Sequence, residues 1–283
     1  MSEKKRPVVA VELDPPADDN ADFFMNGVQE IRDAGADLIT IADCPVGRPR
    51  ADSCVLAAII KRQYGIEALP HMTCRDRNLN AMRAALLALS IEGVHHILLV
   101  TGDPLPPEEH VTVRPVFQVH SRQLARIVRE MNETVFRTPF QIFGALNVNA
   151  RYFEHELERA REKEDCGVTG FLTQPVLSPE ALENLKLARR SLRGTILGGV
   201  FPVVSYRNAC FLNEHVPGIR VSPEIIALYE GKDKEEAERV ALDLSLRTAR
   251  DVLSCADGVY LMTPFRRTGL SSEIVRRIRR EYA

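Results

Sequence analysis

The chain has 283 residues, 45% of them hydrophobic and 27% charged, with a formal net charge of -2. That is enough apolar residue for a packed core, and the near-neutral balance gives no reason to expect nucleic acid or an anionic membrane as a partner. The charged start, Met1-Ser2-Glu3-Lys4-Lys5-Arg6-Pro7, has no apolar h-region after it and no apolar run approaches ~18 residues, so a cytoplasmic protein without secretory signal or membrane span is expected.

In chain order, short apolar strands are expected at 8–13, 38–42, 68–72, 97–101, 141–145, 170–173, 196–200 and 258–262. Each has the character of a strand buried on both faces. Between them the pattern predicts helices over 22–34, 53–64, 79–92, 121–132, 152–165, 179–191 and 208–214, with an extra helical stretch at 234–256 before the last strand and a final helix at 271–282. Gly35, Gly65, Gly93 and Gly167 fall where a helix stops before the next strand. The alternation predicts an α/β fold, a single (β/α)8 TIM barrel over 1–283, since such a barrel takes about 250 residues. The other architecture is an open doubly wound sheet, but no G-x-G-x-x-G follows the first strand. The loop at 104–120 contains four prolines, and loops of that length are usually functional or mobile.

Barrel active sites lie at the carboxyl ends of the strands, which directs attention to those corners. Glu12 ends the first strand beside Leu13 and Pro15-Pro16. Partial desolvation there raises a carboxyl pKa and suits a general acid; a rim carboxylate paired with a neighbour is the equal alternative. His71, in His71-Met72-Thr73-Cys74-Arg75-Asp76-Arg77-Asn78, can meet a cofactor, and Arg75 or Arg77 an anion. The same stretch also reads as rim ion pairs with a helix cap at Asn78. Asp103 follows Thr101-Gly102, where a ligand can approach the backbone, but an Asx-type turn before Pro104 explains it as well. Gln174 offers the donor and acceptor that a pterin-like heterocycle needs, or bonds the backbone at its strand end. Asn149 is a weaker candidate of the same kind, and Lys163 by default is a solvated helix face. The six cysteines are dispersed without a C-x-x-C pair, so neither a metal site nor a disulfide framework is indicated, and a reducing compartment is the simplest setting. No Walker A, H-E-x-x-H or G-x-S-x-G motif is present.

Taken together, Val11-Glu12-Leu13-Asp14-Pro15-Pro16, Pro70-His71-Met72-Thr73-Cys74-Arg75-Asp76, His96-Ile97-Leu98-Leu99-Val100-Thr101-Gly102-Asp103 and Phe171-Leu172-Thr173-Gln174-Pro175 resemble the methylenetetrahydrofolate reductase family. The likeness runs from about Val8 to the C-terminus and is closest to the reductase half of bifunctional homocysteine methyltransferase–reductase proteins. It implies a barrel with non-covalent FAD at its mouth, reduced by NADH or NADPH, that converts 5,10-methylenetetrahydrofolate to 5-methyltetrahydrofolate. It implies further that Glu12 assists protonation and ring opening, Asp103 lies near flavin and pterin, and Gln174 holds the pterin. Tyr206 matches an aromatic surface offered to substrate, and Arg266 an arginine near the folate tail. His71, Thr101, Gly102, His120, Asn149, Arg159 and Lys163 align with positions that contact FAD, alongside Asp103 and Gln174. The family's arginine before the Gly-Asp pair is Thr101 here, and its aromatic after the fifth strand is Ala145. Two other functions stay open: a flavin-free pterin-binding methyltransferase barrel, and a reductase subunit of a larger complex that takes electrons from a partner. A homo-oligomer is compatible with each.

Overall fold

The eight apolar runs become eight parallel strands in a computed structural model that describes residues 6–109, 112–216 and 218–282. The charged start at residues 1–5, and His110 and Val111 of the long loop, lie outside the described residues. The strands are β1 (Val8–Leu13), β2 (Leu38–Ile41), β3 (Glu67–Thr73), β4 (His96–Val100), β5 (Gln141–Leu146), β6 (Gly170–Pro175), β7 (Thr195–Val200) and β8 (Gly258–Met262). They pair in sequence order, and β8 closes on β1. The fold is therefore a (β/α)8 TIM barrel, and the open doubly wound sheet is excluded.

The helices are α1 (Asp22–Asp33), α2 (Ser53–Tyr64), α3 (Leu79–Ile91), α4 (Ser121–Thr134), α5 (Phe153–Asp165), α6 (Pro179–Ser191), α7 (Tyr206–His215), α8 (Pro223–Ala227), α9 (Lys234–Leu253) and α10 (Thr268–Glu281). Local chemistry sets their ends. Asp52 caps α2 by accepting from the Cys54 and Val55 N–H groups at 2.8 and 3.1 Å. Asp233 and Glu236 form a capping box on α9. Gly35, Gly65, Gly93 and Gly167, expected as helix stops, all carry positive φ.

Three differences from the sequence pattern stand out. The short helix α8 is an addition, started by Ser222 and Pro223 in a stretch with too little periodicity to announce five residues of helix. Helix α7 begins at Tyr206, earlier than 208, because Ser205 caps it. Helix α10 begins at Thr268, ahead of 271, directly after a 3-10 turn at Pro264–Arg266. Among the described residues no helix is long and apolar enough to cross a membrane.

Strand alternation sorts the core into two shells. On β1, Val9, Val11 and Leu13 pack outward under the helices, while Ala10 faces the barrel axis. On β8, Val259 and Leu261 face outward and Tyr260 inward. Leu38, Leu69, Leu98, Phe143, Leu172 and Leu197 complete the inner shell. The barrel interior is therefore a packed core. A third cluster, built from Val203, Leu212, Tyr229 and Leu244 among others, lies under α7 to α9.

Candidate active site at the barrel mouth

A cleft of about 880 Å³ opens at the carboxyl ends of the strands. That size suits a small-molecule or cofactor site. The same alternation that sends Val11 and Leu13 outward turns Glu12 into this cleft. Its side chain keeps 21% of its exposure. Tyr260 Oη donates a hydrogen bond to Glu12 Oε2, and His71 Nε2 stands 3.7 Å from the same oxygen. Burial, and then the nearby Asp14 carboxylate, raise the Glu12 pKa, the Tyr260 bond lowers it, and the balance is about 7. Burial pushes His71 down to about 3, so at neutral pH it is an uncharged imidazole and no salt bridge forms. Asp14 is also raised by burial, with Arg50 and then Arg266 pulling it back.

Opposite Glu12 stands Gln174. The β6–β7 register slips between Leu172 and Pro175, so Gln174 sits in an irregularity of the kind that re-aims side chains. Thr173 Oγ1 accepts from the Gly199 N–H at 2.8 Å and donates to the Gln174 carbonyl at 2.8 Å. A Cβ at position 199 would lie 2.6 Å from that carbonyl, so only glycine fits there. Gln174 lines the cleft, and its side-chain amide has no hydrogen-bond partner among the described residues.

The β2, β3 and β4 corners are clamped together by charge. Arg75, with 1% of its side chain exposed, holds Asp76 through Nε and Nη2 at 2.9 and 2.6 Å. It also donates to the carbonyls of Asp103 and Cys44 at 3.0 and 3.2 Å. Arg77 bridges Asp43 and Asp52 at 2.7 and 2.6 Å, and Asp43 accepts from Thr73 N and Oγ1. Asn78 caps α3. The Cys74–Asn78 segment is therefore a structural clamp, and its arginines are committed to protein partners. Gly102 has φ +101, and a Cβ there would press on Thr73 and Arg75 at 3.1 Å. Asp103 Oδ2 accepts from the Val46 N–H at 3.2 Å, tying the β4 corner to the β2 loop. Cys44 and Val46 on that loop, and Phe265 and Arg266 beyond β8, hold left-handed φ without being glycine. Such strain gathers at functional sites.

Glu12, His71, Gly102, Asp103, Gln174 and Arg266 thus face one cleft. The other candidates lie around it. Thr101 Oγ1 contacts Ser121 Oγ at 3.3 Å, and His120, the N-cap of α4, donates its N–H to Gln123 at 3.1 Å. Asn149 is buried and donates to the Pro175 carbonyl at 3.0 Å, with its Oδ1 unpartnered. Arg159 lies on the outer face of α5, 3.9 Å from Glu156. Lys163 is not on a solvated face. Its amine folds back to the carbonyl of Ala145, a cleft residue, at 2.5 Å, and burial lowers its pKa. Tyr206 starts α7 with 47% exposure and does not line the cleft. Sequence reasoning missed Tyr260, Arg50 and the aromatic wall of Phe201 and Phe211. The signal for Tyr260 was a phenol at an inward position of an otherwise apolar strand. Among the described residues no group of three or more His, Cys, Asp or Glu is arranged to hold a metal.

Comparison with known proteins agrees with this geometry. The family model described as methylenetetrahydrofolate reductase matches residues 1–279. The 5,10-methylenetetrahydrofolate reductases of Salmonella typhimurium and Escherichia coli are each 22% identical over 182 residues, which is 64% of this chain and 58% of theirs. The chain thus aligns with little more than half the length of these relatives. An uncharacterised protein from Clostridium thermocellum that binds two copies of 5-methyl-5,6,7,8-tetrahydrofolic acid superposes with a TM-score of 0.68 at 12% identity, covering 98% of this chain and 97% of that one. A 2,3-dimethylmalate lyase superposes with a TM-score of 0.52 at 11% identity, over 98% and 80% of the two chains. At such identities these structures speak for the barrel alone. The family match spans the barrel and every candidate residue of its mouth, and the chain belongs to the methylenetetrahydrofolate reductase family.

Proposed function

We propose that the cleft reduces 5,10-methylenetetrahydrofolate to 5-methyltetrahydrofolate with a non-covalent FAD that NADH or NADPH reduces. The observation that carries the reading is Glu12: a carboxyl at the mouth of the barrel whose pKa of about 7 lets it hold a proton at neutral pH and give it away. The family's names for its members, and the folate bound by the Clostridium thermocellum protein, support a folate substrate.

The residues present fit a flavin. His71 Nε2 is a buried polar atom beside the cleft without a hydrogen-bond partner, and Asn149 Oδ1 is another near the β6 end. Buried polar atoms normally have partners, so each asks for one. Gly102 and Asp103 would meet the flavin at the β4 corner, with Thr101 and His120 at the start of α4 beside them. Lys163, whose amine already reaches the β5 end, would neutralise a phosphate. Bound FAD supplies hydride transfer.

The chain's own residues do the rest. Gln174 presents a side-chain amide whose donor and acceptor can pair with one edge of a pterin. Glu12 donates a proton to the substrate nitrogen; the ring C–N bond breaks, its electron pair stays on that nitrogen, and an iminium carbon results. The apolar walls of Leu98, Leu172 and Phe201 limit water at that carbon. Arg266, stacked over Phe23 at 5.7 Å, stands ready for a carboxylate-bearing tail.

The test is anaerobic reduction of the purified protein by NADH, NADPH and 5-methyltetrahydrofolate, followed by flavin bleaching. Bleaching by a nicotinamide and reoxidation by methylenetetrahydrofolate are expected. A folded, colourless protein that neither FAD nor FMN reconstitutes would sink the flavin reading and favour a methyltransferase barrel. Lys163→Ala separates the two possible roles of that residue. A lost charge-assisted hydrogen bond costs about 1.5–3 kcal/mol, so FAD should bind roughly 10–150-fold more weakly in a fluorescence titration. Unchanged affinity would leave Lys163 as a structural tie to Ala145.

A further inference from the structure

Glu12 and Tyr260 are far apart in sequence and adjacent in space, because β8 closes the barrel against β1. Ala10 pairs with Tyr260 and Glu12 with Met262, so Tyr260 lies one inward step below the carboxylate and its phenol reaches up to it. Tyr260 itself is buried and lines the floor of the cleft.

We propose that Tyr260 is the positioning residue for the proton of Glu12: its hydroxyl occupies Oε2, so the proton that Glu12 transfers is carried on Oε1. The inference rests on the reading of Glu12 as proton donor and deepens it. A carboxyl has two oxygens, and a general acid works only if the proton sits on the one facing the acceptor. Tyr260 donates to Oε2, and a donor there competes with any proton on the same oxygen. His71 Nε2 approaches Oε2 as well, at 3.7 Å, so β3 and β8 both crowd that oxygen, and among the described residues no protein group bonds Oε1.

The same bond helps after transfer. When the O–H bond of Glu12 breaks and the proton moves to the substrate nitrogen, the charge left on the carboxylate is held by the Tyr260 O–H. Tyr260 keeps its own proton throughout, since burial, then the Glu12 charge, raise its pKa well above the ordinary value. The other groups facing Glu12 are Asp14 on its own segment, uncharged Thr40 paired to it on β2, and neutral His71 on β3. Arg50 and Arg266 face Asp14. The Tyr260 hydrogen bond opposes burial and Asp14 in setting the Glu12 pKa.

The test compares wild type with Tyr260→Phe, which removes one oxygen and keeps the ring in the inner shell. The midpoint of Glu12 is read directly by infrared difference titration of its carboxyl band, with Glu12→Gln as the blank. Loss of a hydrogen bond to a charged acceptor should raise that midpoint by about one pH unit. The alkaline limb of the folate half-reaction should move up with it, while its plateau falls roughly tenfold because the acid is weaker and no longer oriented. Site-specific 3,5-difluorotyrosine at position 260, similar in size and a better donor, should move the midpoint down. A midpoint unchanged in both variants overturns the proposal. The titration needs no folate turnover, so it stays informative if Glu12 proves not to be the donor. In that case Glu12→Gln would turn over folate normally while the Tyr260 variants still shifted the carboxyl band.

Discussion

Glu12→Gln is expected to slow reduction of methylenetetrahydrofolate by ~10²-fold or more, the usual weight of general acid catalysis, while FAD binding and reduction by NAD(P)H stay nearly intact. Glutamine keeps the size of the side chain and can still accept from Tyr260, so the floor of the cleft should survive. What it lacks is the transferable proton. Stopped-flow measurement of the two half-reactions checks the asymmetry. Equal losses in both would make Glu12 an architectural residue, and no loss would remove it from the mechanism. The pH dependence has a definite sign. Burial first, and Asp14 second, raise the Glu12 pKa to about 7 against the Tyr260 bond. For a proton donor the competent form is the protonated one, so the wild-type folate half-reaction is expected to be flat on the acid side and fall tenfold per pH unit well above pH 7. That limb should be missing from the residual rate of Glu12→Gln.

Arg75→Met is expected to destabilise the protein by about 3–5 kcal/mol, the cost of breaking a buried pair from one side. Methionine fills much of the same space but donates nothing. Asp76 then loses both arms of its fork, and the carbonyls of Asp103 and Cys44 lose their donor. Urea unfolding measures the loss. Arg75→Lys, which restores charge without the planar fork, should fall between the two. A loss below about 1 kcal/mol, the range of an exposed ion pair, would mean that the three corners hold without Arg75. Because the arginine also ties the Asp103 backbone to the β2 loop, the variant should bind flavin more weakly even where it remains folded.

The strands were legible because a strand buried on both faces must be short and apolar, and the segments at β1, β4 and β6 are of that kind. Helix stops were legible because a left-handed turn selects glycine, as at Gly35 and Gly65. Within Arg75–Asn78, the Arg75–Asp76 pair and the Asn78 cap were legible because Asp76 and Ala81 are near in sequence, whereas the partners of Arg77, Asp43 and Asp52, come from another corner. Helix α8 was not, since five residues carry too little periodicity to detect.

At the site, order along the chain identified Glu12, Asp103 and Gln174 as corner residues, because strand ends share one mouth once the barrel is assumed. Tertiary structure decided what those residues meet. Lys163 turns inward to Ala145 because the carbonyl at the end of β5 lies within its reach, and no count of helical charges foretells that. Gln174 points into the cleft because β6 and β7 slip register above Leu172, where Gly199 admits the backbone. Asp103 is held by the N–H of Val46 and the guanidinium of Arg75, from two other corners. Glu12 owes its raised proton affinity to burial and to Asp14, and the bond that opposes them comes from a tyrosine at the far end of the sequence. The alternation of apolar and polar residues along β1 and β8 is a local property that burial imposes on each strand by itself. The pairing of Glu12 with Tyr260 exists only when the barrel closes, because closure alone places the first strand beside the last.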